Sequence, residues 1–216
     1  MTSTEATAAG SSSSGIWNLP NILTMLRIAL VPFFVWFLIA DAPGLRSESG
    51  LWRWGAVLAF AVAIYTDQLD GDIARSRGLV TDFGKIADPI ADKLLIGSAL
   101  VMLSVLGELP WWVTVVILVR EWGITALRFF VIRYGVIPAS RGGKLKTVVQ
   151  TAAIFLYLLP LAAFAPWLAW VAFAVMMVAV LITVWTGVEY VVEALRLRAQ
   201  GKRSAGQQAT VDKEQT

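Results

Sequence analysis

Long apolar runs alternate along this chain with short polar breaks. The runs cover about residues 21–40, 51–65, 83–106, 111–133, 146–164 and 167–195, and Gly, Pro or charged residues bound each of them. A helix needs about 20 residues to cross the hydrocarbon of a bilayer. The pattern therefore predicts an all-α integral membrane protein, a bundle of six transmembrane helices. Pro20 is placed to open the first helix, and Trp17, Trp111, Trp112, Trp167 and Trp170 sit near span ends, where tryptophan anchors a membrane interface. Residues 1–15 are small and polar and are expected to form a disordered tail. Residues 16–197 then form the membrane domain, and residues 198–216 a flexible, solvated tail. The second apolar run passes into an acidic stretch without losing its helical pattern, so that stretch starts on a helix. Breaks at 75–82, 107–110 and 135–144 and at Pro160 and Pro166 predict the later connections.

Composition agrees with this picture. The chain is 57% hydrophobic with a mean hydropathy of +0.69, whereas soluble domains sit at about 45–50% apolar. The net charge of +3 does not gather into a nucleic-acid-binding stripe. Arg75, Arg77, Lys85, Arg141, Lys144, Lys146 and the basic cluster after residue 195 fall on one side of a six-span bundle, while the turns at 107–110 and 165–166 carry no Lys or Arg. Arg46 and Arg53 run against this bias. The positive-inside tendency puts both termini and the acidic stretch on the cytoplasmic side of the cell membrane. Cysteine and histidine are absent, which excludes disulfides, thiol nucleophiles, Ser-His-Asp catalysis and His-ligated zinc. Acid–base work is left to carboxylates, Lys, Tyr or water.

The acidic stretch carries the chemistry. Asp67 and Asp70 are three residues apart, and Asp88 and Asp92 four apart, so on helices each pair projects from one face. Carboxylates beside hydrocarbon cost several kcal/mol unless something compensates them. Two such helix ends facing one another would gather four carboxylates, and hard oxygen donors of this kind suit Mg²⁺ or Mn²⁺. Two divalent ions can clamp a diphosphate and stabilise attacking and leaving oxygens. Gly71, Ala74 and Gly84 are small enough for a nucleotide to approach the backbone, Arg75 is placed to meet phosphate or equally to orient a metal-bound carboxylate, and Pro89 should bend the third helix beside the site. An EF-hand calcium loop is excluded, because the alternating ligands and the Glu at the twelfth position are missing. Asp72, Arg77 and Lys85 read as ordinary solvated charges. Arg120 and Arg128, eight apart on the fourth span, can look the same way, and unpaired arginines within a span are expensive.

The motif Asp67-x2-Asp70-Gly71-x2-Ala74-Arg75-x8-Gly84-x3-Asp88-x3-Asp92 resembles the full signature of the CDP-alcohol phosphatidyltransferase family. Further stretches, including Asn18 to Asn21 with Thr24 and Arg27, Thr81 to Lys85, Arg120-Glu121 and Gly143 to Thr147, resemble the branch whose acceptor is glycerol 3-phosphate. The resemblance implies a six-span, commonly dimeric membrane enzyme in which an acceptor hydroxyl displaces CMP from a CDP-linked lipid with two divalent ions. It implies that Asp67, Asp70, Asp88 and Asp92 are metal ligands, that Asp88 and Asp92 are catalytic with Asp92 the general base, and that Gly71, Ala74, Arg75 and Gly84 line the CDP site. The substrates it implies are CDP-diacylglycerol and glycerol 3-phosphate. Candidates for the acceptor's phosphate are Arg120, Arg128, Arg141, Lys144 and Lys146. The same chemistry with phosphatidylglycerol or inositol phosphate as acceptor is the alternative. An intramembrane prenyltransferase would be a longer bundle, and a cation transporter would keep its acids near the midplane on broken helices.

Overall fold

A computed structural model describes residues 18–45, 49–77, 81–131 and 141–214. The tail expected at 1–15 and most of the loop expected at 135–144 lie outside the described residues. The remainder is all α-helical, as the apolar pattern predicts. Helix α1 (Leu19–Ala40) is capped by Asn18, whose side chain accepts from the Asn21 N–H at 3.0 Å, with Pro20 in the first turn, where its missing N–H costs nothing. A 3-10 turn (Pro43–Leu45), with Gly44 at φ 72°, leads towards α2 (Leu51–Arg77). Helix α3 (Asp82–Val105) starts at Thr81, whose hydroxyl accepts from the Gly84 N–H at 3.0 Å. Gly107, at φ 72°, makes the turn into α4 (Trp111–Val131). After it come α5 (Arg141–Leu158), the single turn α6 (Leu161–Phe164) and α7 (Pro166–Glu214).

Several boundaries differ from the sequence expectation. Helix α2 runs through Arg77, so the whole stretch from Asp67 to Arg75 lies on one helix. Helix α5 begins at Arg141 and takes Gly142, Gly143 and Lys144 into its first turn, where orphan N–H groups make glycine tolerable. It ends at Leu158 rather than near 164 because Pro160 disfavours helix at the residue before it. Helix α7 continues past 195 to Glu214, through a segment with good helix formers such as Ala, Arg, Gln and Lys. Pro32 and Pro89 both sit inside helices without ending them.

The helices form two groups. In one, α1 packs on α2 and α3; in the other, α4 and α5 pack on α7. Contacts of α3 with α4 and α5, and of α2 with α5, join the groups along a seam. The core is built from Phe34, Leu38, Phe60, Leu100, Leu103, Ile117, Ile154 and Met176, with Ala56, Ala63, Ala91 and Ala99 letting the backbones approach. The outer surface is also apolar, with Leu58, Val119, Phe129, Trp170, Leu181 and Trp185 exposed. So large an apolar exterior marks an interaction with lipid or protein. By length and composition, two described helices, Leu19–Ala40 and Pro166–Arg198, are long and apolar enough to cross a membrane.

One polar lock sits inside this apolar bundle, at the end where α5 finishes. Arg53 of α2, 2% exposed, donates from Nη1 and Nη2 to the two oxygens of Glu108 at 2.9 and 2.5 Å. Its Nε donates to the Leu158 carbonyl at 2.7 Å and Nη2 to that of Tyr157 at 2.8 Å. It thereby ties α2 to the α3–α4 turn and satisfies two carbonyls that the end of α5 leaves open.

Candidate active site

At the other end of α2, around Asp67 and Asp70, lies a second buried arginine network. Arg27 of α1 is 0% exposed. Its Nη1 lies 2.7 Å from Asp67 Oδ1, and its Nη2 pairs with Asp70 Oδ2. The Thr24 hydroxyl, one turn earlier, is 2.6 Å from Asp88 Oδ1 and 3.5 Å from Asp70 Oδ2. Three acids from α2 and α3 thus meet around two side chains of α1. The helix spacing explains the convergence: Thr24 and Arg27 share a face of α1, as do Asp67 and Asp70 on α2.

The four aspartates do not gather as one tight cluster. Among the described residues no three acidic side chains stand close enough to hold an ion. The Arg27 guanidinium and the Thr24 hydroxyl occupy the space between Asp67, Asp70 and Asp88. Asp92 lies one turn further along α3, within electrostatic reach of Asp67 and Arg27 on one side and of Glu121 and Lys146 on the other. The donor set nevertheless suits a hard divalent ion. It offers carboxylate and hydroxyl oxygens, the ligands a hard divalent ion takes.

Asp92 also stands between two clefts. One, about 420 Å³ and open to solvent, lies against Ile64, Tyr65, Asp67, Gln68, Thr151 and Phe155. The other, only about 30 Å³ and more enclosed, lies along the seam against Lys93, Glu121, Lys146 and Gln150. Lys146 is buried and pairs with Glu121. Glu121 also holds Arg120 Nη1 at 3.3 Å, while Arg120 Nη2 donates to Thr186 of α7 at 3.1 Å. Gly187 makes that approach possible, since a Cβ there would stand 3.2 Å from Arg120 Cγ.

The candidate residues therefore separate. Lys146 shares the smaller cleft with Asp92. Arg120 and Arg128 do look the same way, as their spacing suggests, but towards α7. Arg128 is exposed, with Nε 3.4 Å from the Tyr190 hydroxyl and its guanidinium 5.8 Å from the ring centre. Gly84 is buried against α1, where a Cβ would meet Asn21 Oδ1 at 3.1 Å and Thr81 Oγ1 at 3.3 Å. Its smallness therefore serves helix packing at this point. Gly71 lies on α2 one residue after Asp70 and is half-buried. The side chains of Ala74, Arg75, Arg141 and Lys144 lie outside the described residues.

The motif does not by itself single out Thr24, Arg27, Glu121 and Gln150 as parts of the site. A signal for Arg27 was present, since it is the only charged residue in an otherwise apolar first span. Gln150 follows Lys146 by one helical turn, which puts both on the face that meets Asp92.

Comparison with known proteins fits this geometry. The family model described as CDP-alcohol phosphatidyltransferase matches residues 17–185. The chain belongs to that family. It is 55% identical over 181 residues to a probable phosphatidylglycerophosphate synthase of Mycobacterium tuberculosis, covering 84% of this chain and 83% of the relative. A CDP-diacylglycerol--glycerol-3-phosphate 3-phosphatidyltransferase of Bacillus subtilis is 38% identical over 154 residues, covering 67% and 80%. A protein of the same name from Shigella flexneri is 35% identical over 182 residues, covering 81% and 93%.

Proposed function

We propose that this chain transfers the phosphatidyl group of CDP-diacylglycerol to glycerol 3-phosphate, releasing CMP and forming phosphatidylglycerophosphate. The observation that carries this reading is the placement of Asp92. It stands at the junction of a large open cleft beside Asp67 and a smaller cleft containing Lys146. Donor and acceptor can then approach one carboxylate from two sides, and the names of the relatives supply both substrates.

In this reading Asp67, Asp70 and Asp88, with Asp92 as a further ligand, would hold Mg²⁺ or Mn²⁺, which neutralises the diphosphate and the leaving CMP. The chain's own groups do the rest. Asp92 takes the proton of the acceptor hydroxyl as its oxygen attacks the phosphorus that carries the diacylglycerol, and the bond from that phosphorus to CMP breaks. Asp92 makes no hydrogen bond among the described residues, so its lone pairs are available for this task. Lys146 meets the phosphate of the acceptor, with Glu121 holding the ammonium in place. The six helical crossings, the cytoplasmic orientation of the site, the cell-membrane location and a homodimer belong to the same reading. The exposed apolar belt keeps the lipid tails beside the open cleft.

Purified protein in detergent or vesicles, given CDP-diacylglycerol, glycerol 3-phosphate and Mg²⁺, should release CMP and form a lipid with the mass of phosphatidylglycerophosphate. Absence of CMP release would refute the reaction. CMP release with phosphatidylglycerol or inositol phosphate, but not with glycerol 3-phosphate, would refute the acceptor.

A further inference from the structure

Gln150 is 4% exposed and lines the smaller cleft with Asp92, Lys93, Glu121 and Lys146. Its Oε1 atom is buried and accepts no hydrogen bond among the described residues. Nearly all buried polar atoms in folded proteins have a partner, so an orphaned acceptor on a cleft wall points to a donor that arrives with a ligand. A carbonyl oxygen can only accept, which narrows that donor to an O–H or N–H group of the ligand.

The neighbours narrow it further. Lys146 is one helical turn before Gln150, so their Cβ atoms are about 6 Å apart on one face of α5. That spacing suits a small molecule carrying an anionic group at one end and a hydroxyl next to it. Asp92 borders the same cleft from α3.

We propose that Gln150 is a specificity-determining residue, whose side-chain oxygen accepts a hydrogen bond from the non-reacting hydroxyl of a phosphorylated polyol acceptor. The inference rests on the acceptor reading given above. In glycerol 3-phosphate the middle hydroxyl lies between the phosphate and the hydroxyl that reacts. Lys146, Gln150 and Asp92 would then read the three in turn, with Gln150 choosing between acceptors that possess the middle hydroxyl and those that lack it. A site built to accept a hydrogen bond discriminates strongly, because the analogue without the donor leaves a buried oxygen unpaired.

The test compares glycerol 3-phosphate with 3-hydroxypropyl phosphate, which lacks only the middle hydroxyl, in wild-type protein and in Gln150→Met. The wild type should prefer glycerol 3-phosphate by about 10- to 100-fold in kcat/KM. In Gln150→Met that preference should fall to within about threefold, mainly by loss of activity with glycerol 3-phosphate. Turnover of glycerol 3-phosphate with an unchanged preference in Gln150→Met would overturn the role of Gln150 and leave the proposed reaction standing. No turnover of glycerol 3-phosphate by the wild type would overturn both. Should Gln150→Met not fold, the wild-type ratio decides together with Gln150→Glu, which keeps an acceptor oxygen at this position. Equal use of the two acceptors by the wild type, or no preference in a folded Gln150→Glu, would overturn the proposal.

Discussion

Among the described residues the bundle buries two arginines, and their surroundings differ in a way that separates structure from chemistry. Arg53 is matched to its partners: a bidentate Glu108 balances its charge, and two main-chain carbonyls take further N–H groups. Arg27 is outnumbered. It faces Asp67 and Asp70 directly, Asp88 is joined to Asp70 through Thr24, and its own Nε has no hydrogen-bond partner among the described residues. A neutral, saturated pair has nothing left to offer a ligand. Where, among the described residues, carboxylates form a surplus over the guanidinium they share, the arrival of more positive charge is favourable. The first network is a fastener, and the second is where, in the proposed reading, divalent cations would be held.

Neutralising an acid at the surplus end should therefore cost rate and spare the fold. Asp92→Asn removes the proton acceptor proposed for the reaction. It breaks no ion pair among the described residues, so the melting temperature in detergent should stay close to that of the wild type. CMP release should drop by about 10²- to 10⁴-fold, the range associated with loss of a general base. Near-normal turnover would remove Asp92 from that role, and a collapsed protein would mean that the seam depends on its charge.

The same contrast explains what could be read in advance. The helices were legible because apolar runs, prolines and glycines are local signals, and Asn18 and Thr81 cap helices much where the pattern opens them. The aspartates were legible because a charge beside hydrocarbon is costly and their spacing sets them on single faces. The insertion of Arg27 between Asp67 and Asp70 was not, because it depends on how α1 crosses α2, 40 or more residues away in sequence. Nor could spacing tell that Arg120 and Arg128 turn towards α7, since two residues on one helix face share a direction without revealing it. The end of α7 was misjudged for another reason: after residue 195 the chain loses its apolar stripe but keeps its helix formers, and charge alone does not stop a helix.

At the fastener the expectation reverses. Arg53→Met strands the Glu108 carboxylate and opens two carbonyls of α5, so it should destabilise the fold by about 3–5 kcal/mol. Turnover per folded molecule should remain near that of the wild type, because the lock lies at the opposite end of the bundle from Asp92. Replacing both partners, as Arg53→Met with Glu108→Leu, should recover much of the loss, since apolar pairs of similar size often match buried ion pairs. The recovery stays incomplete because the carbonyls of Tyr157 and Leu158 lose their donors in either variant. Thermal melts paired with CMP release measure both quantities. A fall in turnover per folded molecule that matched the fall in stability would mean that the two networks are coupled through α2, contrary to the separation drawn here.

Arg128 belongs to neither network and should matter least. Its guanidinium lies against Tyr190 on the exposed side of α4 and α7, while Lys146 lines the cleft that holds Asp92. An exposed cation–π contact contributes about 0.5–1 kcal/mol, so Arg128→Ala should lower stability by no more than that. The KM for glycerol 3-phosphate should stay within about twofold of wild type, because no contact with the acceptor is removed. Lys146→Gln should raise the same KM substantially, because it removes the buried charge proposed to meet the dianion. If Arg128→Ala raised KM about tenfold with kcat unchanged, the acceptor's path would have to reach across α4 to the α7 side. Arg120, which shares that face, would then return as its second cation.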